Sequence, residues 1–161
     1  MAISSPQRVL VVCLGNICRS PMAEGLLRHH IQKKDLRIEV DSAGTNGYHN
    51  GEAPDHRAQA EMRRHGIEIA AQESRQIKRD DLDGFDLILV MDSNNFQDVM
   101  ELAGDRADWK NKVQMILQEN EVPDPYFGNA TGFTKVFQLL DEAADSWSEQ
   151  WRKSQWVFHA Q

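Results

Sequence analysis

The chain has 161 residues, a formal net charge of −7 and 40% hydrophobic residues, a composition typical of an ordinary soluble domain. The acidic balance disfavours nucleic acid as a partner, because phosphate backbones are bound by basic surfaces. No apolar run approaches the ~20 residues that a membrane span needs, and residues 1–8 lack the apolar core of a signal peptide. We therefore expect one cytoplasmic domain over residues 1–161, without membrane contact.

The first predicted element is a strand over residues 9–12 (VLVV), because a continuous apolar run is typical of a strand buried on both faces. A short loop follows over residues 13–20 (CLGNICRS). It contains Gly15 and Asn16, the residue types most tolerant of positive φ. The run therefore indicates a strand that ends in a tight turn.

A helix is predicted directly after this loop, over residues 21–34. Ser20 is a favourable N-cap, Pro21 suits the first helical position, and Glu24 complements the positive end of the helix dipole. A strand, a tight loop and a helix N-terminus together form an anion-binding cradle, because consecutive backbone N–H groups converge there.

Two side chains distinguish this cradle from other phosphate loops. It has neither the Gly-Lys-Ser/Thr of a Walker loop nor the three glycines of a dinucleotide loop; instead Cys13 opens it and Arg19 closes it. A thiol beside a guanidinium at a helix N-terminus favours its ionised form, and the planar fork of Arg19 suits a tetrahedral oxyanion. The pattern indicates a nucleophile aimed at a bound phosphate, although a cysteine after a strand is often only a small hydrophobic residue.

The later elements alternate between strands and helices. In order, they are predicted as a strand over 36–40, a small-residue turn over 41–45, a helix over 56–65 capped by Asp55 and ended at Gly66, a helical turn at 80–81, a strand over 85–91, a helix over 93–103 capped by Asp92 and stopped by Gly104, a strand over 113–117, a proline-rich loop over 122–130 and a long amphipathic helix from Phe133 to Trp147. This alternation predicts a parallel sheet covered on both faces, with a ligand site at the carboxyl ends of its strands. Trp147, Trp151 and Trp156 either pack back onto the core or mediate association.

A general acid is required because thiolate attack on a phosphate monoester expels an oxyanion that needs a proton. Asp124, between Pro123 and Pro125, is the best candidate by position, since it follows a late strand. Alternatively, Asp124 only closes a turn, as Asp beside Pro commonly does.

The sequence VCLGNICRSPMAE (12–24) closely resembles the signature of the low-molecular-weight protein tyrosine phosphatases. The resemblance continues along the chain through DSAGT (41–45), Pro54-Asp55, Met91-Asp92 and DPYFG (124–128). It implies a phosphatase I-like α/β fold with a four-stranded parallel sheet in the order 2-1-3-4. It also implies hydrolysis of phosphotyrosine through a phosphocysteine on Cys13.

The resemblance implies a role for each residue of the site. Asp124 is then the acid, Arg19 grips the phosphate, and the remaining phosphate-binding positions are Leu14, Gly15, Asn16, Ile17, Cys18 and Ser20. Ser20 also contacts the thiolate or only caps the helix, Ser42 holds Asn16, and Asp92 either orients Arg19 or only caps its own helix. Tyr48 and Tyr126 form the walls of a slot for an aromatic ring.

No cofactor or metal is expected, since none of the six histidines shows a metal-ligand spacing. The expected partner is a phosphotyrosine-containing protein, and the chain is expected to be a monomer or weak dimer. The two cysteines, Cys13 and Cys18, lie in one loop, which predicts a transient redox disulfide rather than a structural one.

Two departures and three alternatives remain open. Gln72 stands where the family often has a histidine, and Phe127 replaces the second tyrosine of a tandem pair in animal members. Arsenate reductases share the fold, but those with an internal relay need cysteines downstream of Cys18, so only an external-thiol type remains. Protein arginine phosphatases carry Thr where Ile17 stands, and apolar Ile17 favours an aromatic substrate. A non-catalytic oxyanion-binding module is the third alternative.

Overall fold

The computed structural model describes residues 5–160, with side chains described up to residue 155. In chain order its elements are β1 (Arg8–Cys13), α1 (Arg19–Lys33), β2 (Glu39–Gly44), α2 (His56–Arg63), α3 (Arg79–Gly84), β3 (Leu87–Val90), α4 (Ser93–Ala103), α5 (Ala107–Lys110), β4 (Val113–Met115) and α6 (Ala130–Ala160). All neighbouring strands are parallel, and their order is β2-β1-β3-β4. The predicted fold class and strand order are confirmed.

Helices cover both faces of the sheet. Val9 and Val11 of β1 point into a core shared with α1 and α6, whereas Leu10 and Val12 point into a core shared with α4 and α5. All four side chains are fully buried. Central β1 is apolar at every position because neither of its faces meets water.

The second strand lies later than predicted. The expected strand over 36–40 is wrong in its bounds, because β2 pairs along the whole of β1, from Arg8 opposite Glu39 to Cys13 opposite Gly44. The small residues expected to form a turn are therefore strand residues. Small size is required there, since a Cβ on Gly44 would lie 2.8 Å from the carbonyl oxygen of Leu14.

Helix α1 begins two residues earlier than predicted, at Arg19. Ser20 is therefore not its N-cap; Cys18 occupies that position, and its side chain makes no capping hydrogen bond. Glu24 likewise does not lie in the first turn of α1, where it would complement the helix dipole. It is buried instead, with 4% of the residue exposed. Both side chains are directed into the loop network described below.

The predicted caps later in the chain are confirmed. Asp55 accepts a hydrogen bond from the Arg57 amide at the start of α2, and Asp92 accepts one from the Asn95 amide at the start of α4. Gly66 and Gly104 have φ values of 78° and 61°, as expected after helix ends. Strands β3 and β4 are shorter than predicted, and the short helix α5 was not predicted.

The long C-terminal helix begins earlier than expected, at residue 130, and continues to residue 160. Trp151 is 1% exposed, and Trp147 donates its indole N–H to the carbonyl oxygen of Ile116 at 2.9 Å. Both tryptophans therefore pack back onto the core, whereas the side chain of Trp156 lies outside the described range. No helix within residues 5–160 combines the length and apolar character needed to cross a membrane.

Replacing Trp151 with alanine is expected to destabilise the protein by ~3–5 kcal/mol, because it removes the largest fully buried side chain and leaves a cavity. Urea unfolding followed by circular dichroism measures the change. Exposed Gln150 on the same helix is the matched control, and Gln150→Ala should shift the unfolding free energy by less than about 0.5 kcal/mol. Equal effects of the two substitutions would contradict the packing of Trp151.

Candidate active site

The loop between β1 and α1 wraps around the sulfur of Cys13. Asn16 adopts the left-handed conformation at φ 59°, as the sequence predicted for this position. This turn directs the backbone N–H of Asn16 to Cys13 Sγ at 3.3 Å. The sulfur thus lies at the carboxyl end of the central strand and accepts a hydrogen bond from its own loop. Cys13 is buried, with 3% of the residue exposed.

The side chain of Asn16 joins this loop to β2. Its Nδ2 donates to Ser20 Oγ at 2.7 Å and to Ser42 Oγ at 3.0 Å. Because the Ser20 oxygen accepts from Asn16, its own proton is available to Cys13 Sγ at 3.1 Å; the other acceptor in range, the Ala43 carbonyl oxygen, is 3.5 Å away. The predicted contacts of Ser20 with Cys13 and of Ser42 with Asn16 are therefore present.

Glu24 ends this chain of hydrogen bonds. Ser42 Oγ donates to Glu24 Oε1 at 2.7 Å, and Arg28 pairs with Glu24 Oε2 at 3.0 Å. Burial raises the pKa of Glu24 above its ordinary value, against the opposing effects of the Ser42 hydrogen bond and the Arg28 charge. As a carboxylate, Glu24 can only accept, so it takes the hydroxyl proton of Ser42 and leaves the Ser42 oxygen to accept from Asn16 Nδ2.

Arg19 is almost fully buried and held from two sides. Its Nη1 donates to Asp92 Oδ2 at 2.7 Å and to the Val122 carbonyl oxygen at 2.9 Å. Burial alone would lower the pKa of Arg19, but the nearby Asp92 and Asp124 carboxylates and the Cys13 side chain raise it. Asp92 performs both of its proposed roles, since its other oxygen caps α4 through the Asn95 amide at 2.8 Å.

Cys18, the second cysteine of the loop, lies in surroundings that favour its neutral thiol. Burial raises the pKa of its thiol, and the nearby Asp55 carboxylate raises it further. The thiol of Cys18 is therefore protonated at neutral pH, a form that is a poor nucleophile. Both cysteines are free in the structure, and their transient disulfide stays a prediction.

Asp124 lies on the loop that follows β4, at the same edge of the sheet as Cys13. Its Oδ2 is 3.6 Å from Arg19 Nη2, and its Oδ1 accepts the Tyr126 amide at 3.1 Å. The carboxylate thus closes a turn and also faces the phosphate loop, so the two readings of this residue are compatible. With its side chain 38% exposed, it can exchange a proton with water.

A slot of about 210 Å³ leads from the surface to Cys13. Large apolar side chains at its rim are exposed to solvent. The slot is lined by Cys13, Leu14, Gly15, Ile17, Cys18, Arg19, Asn46, Tyr48, His49, Asp124, Tyr126 and Phe127. Tyr48 is 87% exposed and Phe127 92% exposed, whereas Ile17 is buried. The slot is thus apolar along its sides and polar at its floor.

Three contributions to the site were not predicted. His49 lines the slot with its ring against Gly15, and it pairs with Glu52 at 2.7 Å. Arg57 contacts the Asp124 loop, and Glu24 serves the loop network. No spacing signal marks these residues, because each acts through a contact with a segment distant in sequence. Gln72, noted as a departure, donates to the Pro21 carbonyl oxygen at 3.1 Å.

This arrangement can bind a tetrahedral oxyanion and attack it. The floor supplies a cysteine sulfur, the backbone N–H of Asn16 and a buried guanidinium, and the wall supplies a carboxyl group that can transfer a proton. The aromatic rim suits a flat substituent on that oxyanion.

Comparisons with known proteins agree with this geometry. A family model for low molecular weight phosphotyrosine protein phosphatases matches residues 8–156. The human low molecular weight phosphotyrosine protein phosphatase is 39% identical over 145 residues, which is 86% of this chain and 91% of the human protein.

Two solved structures extend the likeness to the fold. The protein tyrosine phosphatase of Entamoeba histolytica superposes with a TM-score of 0.85 at 32% identity, covering 92% of this chain and 98% of that one. Wzb of Vibrio vulnificus, solved with benzylphosphonate, superposes with a TM-score of 0.81 at 28% identity, covering 89% and 97%. Sequence, fold and site thus lead to one conclusion: the chain belongs to the low-molecular-weight phosphotyrosine protein phosphatase family.

Proposed function

We propose that this enzyme hydrolyses phosphotyrosine in proteins through a phosphocysteine formed on Cys13. The observation that carries the proposal is the position of the Cys13 sulfur at the floor of an aromatic-rimmed slot. There it contacts the Asn16 amide at 3.3 Å and the Ser20 hydroxyl at 3.1 Å. Both contacts favour the ionised sulfur, which is the attacking species.

In the first step the sulfur of Cys13 forms a bond to phosphorus while the bond from phosphorus to the phenolic oxygen breaks. Asp124 gives its proton to the departing oxygen, so that a neutral phenol leaves. The other phosphate oxygens are held by the loop amides and by Arg19. Positioning and charge neutralisation carry most of such a transfer, because the transition state is loose.

In the second step a water molecule attacks phosphorus and the bond to sulfur breaks. Asp124, now ionised, accepts a proton from that water, and the products are inorganic phosphate and the Cys13 thiolate. Asp124 therefore alternates between acid and base. Its exposed position at the slot, near Arg19 but on a separate loop, suits both steps.

The guanidinium of Arg19 is pre-oriented for this task. Nη1 is already engaged by Asp92 and Val122, and Nη2 faces the Asp124 side of the slot. A fixed fork loses little conformational freedom when the phosphate arrives. Asp92 thus supports the reaction by holding Arg19 rather than by contacting the substrate.

Phosphotyrosine is the substrate that the slot supports best. Tyr48 and Tyr126 flank the opening, and apolar Ile17 lies inside it, so an aromatic ring has apolar contacts along its length. The benzylphosphonate held by the Vibrio relative has the same combination of a ring and a tetrahedral phosphorus group. A phosphoserine is shorter and lacks a ring to pack against these walls. The cytoplasmic location and the monomer or weak dimer stay predictions.

A panel of substrates tests this proposal. Purified enzyme is expected to hydrolyse a phosphotyrosine peptide with a kcat/KM at least about a hundredfold above that for phosphoserine, phosphoarginine or thiol-dependent arsenate turnover, because only the first has a ring for the slot. Cys13→Ser is the control and should abolish turnover while phosphate binding persists. A preference for phosphoarginine or arsenate would contradict phosphotyrosine as the substrate. Turnover by Cys13→Ser would contradict Cys13 as the nucleophile.

The acid role of Asp124 is tested with aryl phosphates of different leaving groups. Asp124→Asn should lower kcat/KM by about 10²–10⁴-fold for phenyl phosphate and much less for p-nitrophenyl phosphate, whose leaving group needs little protonation. A plot of log kcat/KM against the leaving-group acidity measures the difference. If the loss is the same for every substrate, Asp124 does not donate the proton.

A further inference from the structure

Arg57, on the first turn of α2, is bonded to the loop that carries Asp124. Its Nη2 donates to the Tyr126 carbonyl oxygen at 2.9 Å and its Nη1 to the Gly128 carbonyl oxygen at 3.1 Å. Within residues 5–160, these are the hydrogen bonds that link residues 123–128 to another part of the chain. The remaining hydrogen bonds of this loop, from Tyr126 and Gly128, are internal turns.

The other side of the guanidinium is bound by Asp55. Arg57 Nε donates to Asp55 Oδ1 and Nη2 to Oδ2, both at 3.0 Å. The backbone N–H of Asp55 in turn donates to the Ile17 carbonyl oxygen at 2.8 Å, inside the phosphate loop. A continuous bridge therefore runs from the phosphate loop through Asp55 and Arg57 to the Asp124 loop.

Ring contacts fix the orientation of this bridge. The Arg57 guanidinium lies over the Phe133 ring, 4.7 Å from its centroid, and 5.7 Å from the centroid of the Tyr126 ring. The planar fork of arginine suits this position, because it can donate hydrogen bonds in three directions while its flat face lies over a ring. The point charge of lysine supplies neither this geometry nor the stacking.

We propose that Arg57 is a positioning residue for proton transfer, which sets the place of the Asp124 carboxyl relative to Cys13. The inference rests on the proposed function, since it concerns the acid of that reaction. Arg57 itself has no contact with the nucleophile or with Arg19. The bridge through Arg57 and Asp55 is the hydrogen-bonded link between the Asp124 loop and the phosphate loop. Loss of Arg57 would therefore let the Asp124 carboxyl shift, and a small displacement of an acid strongly reduces the rate of proton transfer.

Three variants test the inference. In Arg57→Ala the bridge is lost, and kcat/KM should fall roughly tenfold for phenyl phosphate but less than about twofold for p-nitrophenyl phosphate. Arg57→Lys keeps the charge without the fork, so an intermediate loss is expected. Arg63→Ala is the matched control on the same helix, because Arg63 forms an exposed pair with Glu68 away from the site; it should be unchanged within about twofold.

Inorganic phosphate as a competitive inhibitor separates positioning of the acid from damage to the cradle. Its inhibition constant should be the same in Arg57→Ala as in the wild type, since the phosphate loop keeps its own hydrogen bonds. A weakened inhibition constant, or an equal loss on both aryl phosphates, would overturn the inference in favour of a general structural role. Full activity on phenyl phosphate would overturn it as well.

Asp124→Asn, measured beside these variants, distinguishes a wrong acid assignment from a wrong role for Arg57. A steep leaving-group dependence in Asp124→Asn with none in Arg57→Ala overturns only the role of Arg57. No steep dependence in Asp124→Asn refutes the acid assignment, and the inference falls with it. Steep dependence in both, with the shallower slope in Arg57→Ala, is the expected result.

Discussion

The hydrogen bonds that converge on Cys13 Sγ, from the Asn16 amide at 3.3 Å and the Ser20 hydroxyl at 3.1 Å, must favour a sulfur anion in a protein of net charge −7. Long-range charge opposes that anion and repels a phosphate, so only nearby groups can offset the repulsion. The left-handed turn at Asn16 supplies the amide, and α1 brings Ser20 and Arg19 to the same point. The side chains of Asn16 and Asp92 hold these groups in place through hydrogen bonds to Ser20 and Arg19.

The parallel sheet explains how distant segments reach one sulfur. Cys13 ends β1, Asp92 follows β3, and the Asp124 loop follows β4, so that all of them lie at the carboxyl edge. Arg19 joins the phosphate loop to Asp92, and Arg57 joins it through Asp55 to the Asp124 loop.

Local patterns were enough to predict some of this architecture. The apolar run of β1, the left-handed Asn16 and the caps of α2 and α4 each depend on residues within a few positions of one another. The sequence also singled out Cys13, Arg19 and Asp124, which the fold brings to one slot, and the family resemblance supported the choice of Asp124. The alternation of strands and helices predicted the fold class, whereas the strand order was predicted only by that resemblance.

The parts that sequence could not predict depend on contacts across the fold. The register of β2 is set by its pairing with β1, and the buried Glu24 finds its hydrogen-bond partner Ser42 eighteen positions away. Serine is a residue type favoured at helix N-caps, but the hydroxyl of Ser20 contacts the Cys13 sulfur instead. Arg57 binds carbonyl groups 69 and 71 positions away, and backbone carbonyls carry no residue-specific signal.

The ionisation of Cys13 in the unliganded enzyme tests the central claim most directly. It can be measured by the ultraviolet absorbance of the thiolate and by the pH dependence of alkylation, with Cys13→Ser as the reference that removes the signal of this sulfur. We expect Cys13 to be a thiolate already at neutral pH and to be protected from alkylation by inorganic phosphate. A sulfur that is still protonated at neutral pH in the empty slot would contradict it.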